Sequence, residues 1–128
     1  MDLIKNCYEA VKTNNIKQLD RNFESYMASY KDNSGRGLLS TAAYYSSYNC
    51  VVYLINRGCD PCEFNQKGTT PLMYAKSALD KDNFRDAQRV IHLLKQAGAN
   101  IFQKDTYDKT IFDYLDDAQS SVAAELKS

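Results

Sequence analysis

Apolar residues come in paired blocks at helical spacing along this chain. Leu3, Ile4, Cys7 and Val11 form one stripe, and Ile16, Leu19 and Phe23 the next. Leu38-Leu39 and Ala42-Ala43 are followed by Val51-Val52-Tyr53-Leu54; Leu72-Met73 and Ala75 are followed by Val90-Ile91 and Leu93-Leu94. Apolar positions at i, i+3, i+4 and i+7 predict an amphipathic helix for each block. Polar segments carrying turn residues separate the pairs. Asp32-Asn33-Ser34-Gly35 and Asn65-Gln66-Lys67-Gly68 stand 33 positions apart, and each leads into an apolar, helix-forming run. Asp105-Thr106-Tyr107-Asp108-Lys109-Thr110 repeats that opening 40 positions further on. Asp108 stands where the earlier copies have glycine, and Asp tolerates positive φ better than most residues. The ends of the blocks repeat too, as V-V-Y-L-I-N-R-G-C-D from Val51 and V-I-H-L-L-K-Q-A-G-A-N from Val90. Gly58 and Gly98 suit a helix C-terminus, where a left-handed residue stops the helix without strain. Self-similarity at a fixed period predicts stacked units, each burying its apolar face only against its neighbours.

The segment Asn65 to Ala75, N-Q-K-G-T-T-P-L-M-Y-A, with the Val51 and Val90 endings, resembles the ankyrin repeat, whose pattern is D-x-x-G-x-T-P-L-H-x-A-A, then V-V-x-L-L, then G-A-D. The resemblance covers most of the chain. It implies an all-α ankyrin-repeat solenoid of about four helix-pair units with short β-hairpin tips. The expected units are an amino-terminal cap at 1–31, repeats at 32–64 and 65–104, and a carboxy-terminal cap at 105–128. The longer period of the second repeat places about seven extra residues in Leu79–Arg89. Hairpin arms are expected at Asp32–Arg36, Asn65–Thr69 and Asp105–Lys109. The chain departs from the pattern at Gly37-Leu38 (for Thr-Pro), Ser46-Ser47 (for Gly-His) and Lys76 (for the second Ala).

With 128 residues, one domain is expected, and 44% hydrophobic residues suffice for a core spread along a line. Sixteen basic and sixteen acidic side chains cancel, which argues against bulk affinity for nucleic acid or an anionic membrane. No run approaches the roughly 20 apolar residues that span a bilayer. The opening M-D-L-I-K-N-C-Y-E, with its early acid, is unlike a secretory leader, so a cytoplasmic location is expected. Cys59-Asp60-Pro61-Cys62 is formally C-x-x-C, but no second pair exists and His92 is the only histidine, so a four-ligand zinc site is not expected. A redox pair would ordinarily open a helix, whereas this one follows a helix end. Ordinary reduced thiols are the expectation for Cys7, Cys50, Cys59 and Cys62.

Catalytic groups are sparse. His92 takes the polar slot of an apolar stripe and is expected on the surface as a solvated side chain. Asp113, Asp116 and Asp117, at i, i+3 and i+4, would share one helix face and offer paired carboxylates for acid–base work; a solvated face of a terminal cap is the preferred reading. Gly35-Arg36-Gly37 lacks the third glycine of a phosphate loop. No enzyme, cofactor or metal is therefore expected.

Ankyrin proteins usually bind across the hairpin tips and inner helices, and that implies a candidate surface of Arg36, Tyr44, Tyr45, Lys67, Tyr74, Tyr107 and Lys109, flanked by Asn33, Ser34, Gln66, Thr69, Ser77 and Thr106. Ten tyrosines and no tryptophan strengthen it, because Tyr gives rigid contact area with a polar end. Tyr44, Tyr45, Tyr74 and Tyr107 are expected exposed; Tyr26 and Tyr30 are expected to pack at the first junction, and Tyr53 within its apolar stripe. Phe84 and Arg85 would cap any contact finger made by the insertion, although a loop without a role is the simpler reading. The implied function is a non-catalytic protein-binding module, monomeric on its own, acting as a dedicated inhibitor such as an immunity protein that neutralises a bacterial toxin. An adaptor or regulatory subunit that recruits other proteins, host-directed in one form, is the alternative, and a small enzyme using the Asp cluster a distant third.

Overall fold

The computed structural model describes residues 2–81 and 84–128. Eight α-helices follow one another among them: α1 (Leu3–Lys12), α2 (Ile16–Asn22), α3 (Leu38–Tyr44), α4 (Tyr48–Asn56), α5 (Pro71–Leu79), α6 (Phe84–Gln96), α7 (Ile111–Tyr114) and α8 (Ser120–Lys127). Two 3₁₀ turns, Ser25–Ser29 and Asp117–Gln119, complete the set. The odd-numbered helices pack in sequence as an inner row and the even-numbered ones as an outer row, and each inner helix of the first three pairs packs on the outer helix that follows it. This is an all-α solenoid, as the periodicity predicts.

Local chemistry sets the helix boundaries. Asp2 accepts from the Lys5 amide at 3.0 Å and caps α1; Asn15 accepts from the Gln18 amide at 3.1 Å and caps α2. Thr70 caps α5, and Pro71 occupies its first position, where a missing N–H costs nothing. At the end of α4 the Cys59 amide reaches the Leu54 carbonyl and the Gly58 amide the Ile55 carbonyl, with Gly58 at φ 93°. Those two bonds satisfy carbonyls that the helix end would leave orphaned.

The core runs the length of the stack. Leu19, Leu38, Leu39, Leu54, Leu72, Leu94, Ile111 and Leu126 are almost wholly buried, each contributing on the order of 1.5–3 kcal/mol of apolar transfer. Ala42, Ala43, Ala75 and Ala78 are fully buried on the inner helices, where small side chains let neighbouring helices approach. Between the first two units the junction is also polar: the Ser47 hydroxyl donates to the Val11 carbonyl, and the Cys50 amide donates to Asn14 Oδ1 at 3.2 Å.

The expected hairpin tips are tight turns, and no strand forms among the described residues. All three are built alike. The first residue's amide bonds the carbonyl four positions on: Asp32 to Arg36, Asn65 to Thr69, Asp105 to Lys109. Its side-chain Oδ1 accepts from the amides two and four positions on. That loop is closed by a side chain instead of a ladder, so the arms are too short for a strand. Adjacent turns touch through one backbone bond each, Gln66 N to Ser34 O (3.3 Å) and Thr106 N to Lys67 O (3.0 Å).

Around the expected insertion the helices are longer. α5 has nine residues against seven in α3, and α6 has thirteen against nine in α4. Phe84 and Arg85, expected at the end of a finger, open α6 and are exposed there; Asp82 and Asn83 lie outside the described residues. Tyr26 and Tyr30 do not pack into the first junction. They are 58% and 38% exposed, because the chain after α2 makes a 3₁₀ turn whose buried residue is Met27. Tyr30 leans edge-on against Tyr8, with centroids 6.2 Å apart. Tyr53 is half-buried and donates to Asp20 Oδ1 at 2.9 Å.

Candidate partner-binding surface

The turns and the inner helices bring several of the anticipated residues together. Tyr44, near the end of α3, meets Tyr45 edge to face at 5.0 Å and Tyr74 of α5 at 6.3 Å. The Arg36 guanidinium, from the first turn, lies 5.9 Å from the Tyr74 ring centre. The Lys81 ammonium lies 4.4 Å over the Tyr44 ring and donates to the Tyr44 hydroxyl at 3.3 Å. The result is a continuous patch of cations on aromatic rings. Tyr45 is 40% exposed, whereas Tyr44 and Tyr74 are half-buried, because each is wedged between a ring and a cation.

Each tyrosine nine positions after a turn's first residue ties the helix to that turn. Asn65 Nδ2 donates to the Tyr74 hydroxyl at 2.7 Å; the Tyr114 hydroxyl donates to Asp105 Oδ2. The bond to Asp105, followed by burial, pushes the Tyr114 phenol up to about 12. Burial also raises Tyr74, against the opposing effects of Asn65 and Arg36. Burial alone would raise the Asp32 carboxyl, but bonds from the Ser34 hydroxyl and the Arg36 and Ser34 amides outweigh it and hold it below the usual range. Lys109 lies 5.6 Å from the Tyr114 ring centre. Lys67 and Tyr107 stand exposed at the turns, Tyr107 at 62%.

Lys81, Tyr114 and Tyr8 join this face without having been anticipated. Tyr8 donates to the Arg36 carbonyl at 2.7 Å and is buried enough to raise its phenol above the ordinary range. Tyr114 was detectable, since it keeps the spacing from Asp105 that Tyr74 keeps from Asn65. Lys81 carried no signal, because it belongs to the inserted residues.

The three acids of the C-terminal unit do not share a helix face. α7 ends at Tyr114, since Leu115 is extended (ψ 133°). Asp113 accepts from the Thr110 amide at 2.8 Å and closes a capping box; Asp116 and Asp117 belong to the next turn. Each acid is thus an element-terminal group, and no carboxylate pair forms. His92 is half-exposed, with Nδ1 2.6 Å from Glu125 Oε1, tying α6 to α8. Cys59 is buried, and desolvation pushes its thiol up to about 12, opposite to what a redox thiolate needs. No group of three or more His, Cys, Asp and Glu that could hold a metal ion occurs among the described residues. Among them, too, no helix is long and apolar enough to cross a membrane.

Residues 7–105 match the family model for ankyrin repeats (3 copies). The chain belongs to the ankyrin repeat family. That assignment accords with the two helical rows and the stacked turns, and it identifies a protein–protein interaction module. No curated protein matches the chain significantly.

Glu63 accounts for the departure at Gly37, where the ankyrin pattern has threonine. α3 has no cap of its own. Instead Glu63, from the loop after α4, lays its carboxylate against the N-terminus of α3, accepting from the Ser40 amide at 3.2 Å and the Ser40 hydroxyl at 2.6 Å. Its other oxygen lies 3.2 Å from the Lys31 ammonium. A Cβ at position 37 would stand 2.6 Å from Glu63 Oε2, so glycine makes room for a cap supplied across the stack.

Proposed function

We propose that this ankyrin repeat chain is a non-catalytic binding protein acting as a dedicated inhibitor, of the kind an immunity protein exerts by covering a bacterial toxin. The reading rests on one observation above the others: the Tyr44–Tyr45–Tyr74 cluster with Arg36, gathered on the face of the turns and inner helices. Rigid aromatic side chains flanked by arginine are the composition of binding hot spots. The partner is another protein, and Asp113 and Asp116 serve in capping boxes. A pull-down from lysate of the native source, followed by an activity assay on the eluted protein, tests the reading. One stoichiometric partner that survives high salt and is inactive while bound is the expected result. Several weakly held partners with unchanged activities would replace it with the adaptor reading. With the partner in hand, Tyr45→Ala and Tyr107→Ala, both exposed and so harmless to folding, should each weaken binding; a central anchor loses about 2 kcal/mol or more.

A further inference from the structure

We infer that the face of the turns and inner helices takes an acidic segment of the partner protein. The inference rests on the protein-binding reading and adds the chemistry of what is bound. Over the whole chain charge cancels, but on this face the two signs are used differently. Three of its acids, Asp32, Asp105 and Asp80, are consumed internally, and Asp108 of the third turn pairs with Lys104. Asp32 Oδ1 accepts from the Ser34 amide and hydroxyl and from the Arg36 amide. Asp105 uses Oδ1 for the Tyr107 and Lys109 amides and Oδ2 for the Tyr114 hydroxyl. Asp80 uses one oxygen for Lys76 and the other for Gln119.

Three cations are held instead on rings, Arg36 on Tyr74, Lys81 on Tyr44 and Lys109 on Tyr114, while Lys67 stands exposed and Lys76 pairs with Asp80. A ring orients a cation but neutralises none of its charge. Arg36 is 3.9 Å from Asp32 at its Nε, too far for a hydrogen bond, and that buried nitrogen has no partner. The face therefore presents positive charge oriented on half-buried aromatic rings, where carboxylates of a partner can pair with it.

Nucleic acid is also anionic, but the ring geometry disfavours it. Tyr44 meets Tyr45 and Tyr74 at interplanar angles of 86° and 88°, and each cation already covers a face of its ring. Bases need open, stackable faces.

The test is an amide- and tyrosine-resolved NMR titration of the full chain with three probes: decaglutamate, a neutral Ser-Gly decapeptide and a ten-residue thymidine single strand. Decaglutamate is expected to shift Arg36, Tyr44, Tyr74 and Lys81 selectively, with affinity falling roughly tenfold as salt rises past physiological strength. Lys81→Gln and Lys109→Gln, which leave the core untouched, should each weaken it about threefold. Lys17→Gln on α2 should change nothing. Absence of decaglutamate shifts on this face, or tighter binding of the thymidine strand, overturns the inference. Shifts at the same residues from the neutral peptide with equal affinity also overturn it, while leaving the protein-binding reading in place.

Discussion

Two residues with the same backbone handedness illustrate different costs. Gly68 has φ 76° and lies so close to the third turn that a Cβ would stand 2.8 Å from the Asp105 Cα. Gly58 has φ 93° with nothing within 4 Å of its missing Cβ. Gly58→Ala should therefore cost only the left-handed penalty, about 1 kcal/mol. Gly68→Ala adds a clash with backbone that cannot rotate away, and should cost about 2–3 kcal/mol. Urea midpoints of the two variants check this, and equal losses would show that the turns can slide apart. Asp108 has the same handedness at φ 63°, yet no further turn stacks on it among the described residues, so a side chain is tolerated there. Ser46 is the reverse case. It sits at φ 55° with its hydroxyl buried and without a partner, in the slot where the family places glycine. Ser46→Gly removes both the strain and the orphaned hydroxyl, so thermal unfolding should show a gain of about 1 kcal/mol.

At the scale of the element, α3 starts without a cap of its own and borrows the Glu63 carboxylate from the next loop. This makes a sign reversal measurable. Glu63→Ala strips the cap and leaves Lys31 without its ion-pair partner, a loss of about 2 kcal/mol. Gly37→Thr in the natural chain drives a Cβ into a carboxylate pinned by Ser40 and Lys31, and should destabilise. In the Glu63→Ala background the same threonine has room, and its hydroxyl can cap the Ser40 amide as Thr70 caps Met73 in α5. There it should restore about 1 kcal/mol. A double-mutant cycle with additive losses would refute the borrowed cap. The sequence showed Gly37-Leu38 only as a defect in the pattern, because a carboxylate 23 residues away in the buried Ser40 bond leaves no local trace. The helix pairs and their glycine stops were legible from spacing alone. The form of the segment around Leu79–Arg89 was not: α5 and α6 are longer than α3 and α4, since helical extension satisfies backbone groups that a free loop would leave to water.

For the whole molecule, legibility followed the range of the interactions involved. The residues of the turns and inner helices could be listed, since they recur at fixed positions. Which tyrosines stay open could not, because the burial of Tyr44 and Tyr74 depends on Arg36 and Lys81 arriving from other segments. The cysteines carry the consequence that spans the stack. Cys7 and Cys50 have thiols pushed up to about 11 and Cys59 to about 12, all by burial in one continuous core. A group raised in the folded state binds its proton more tightly there than in the unfolded chain. Its stabilisation is complete below the ordinary thiol range and is lost as pH climbs through that range towards the folded value. Stability should hold from pH 7 to about 8.5 and then fall, each thiol contributing up to about 1.4 kcal/mol per pH unit. The phenols of Tyr8, Tyr53, Tyr74 and Tyr114 are raised as well, but an unfolded tyrosine is only about a tenth ionised at pH 9, so the window between about 8.5 and 9.5 reports mainly the thiols. Urea midpoints across that window, under reducing conditions, should decline for the natural chain. They should decline by about a third less for Cys50→Ala, whatever its offset at pH 7. A midpoint unchanged between about pH 8 and 9.5 would mean that the thiols reach solvent in the folded state, and that the units separate far more readily than a single continuous core allows.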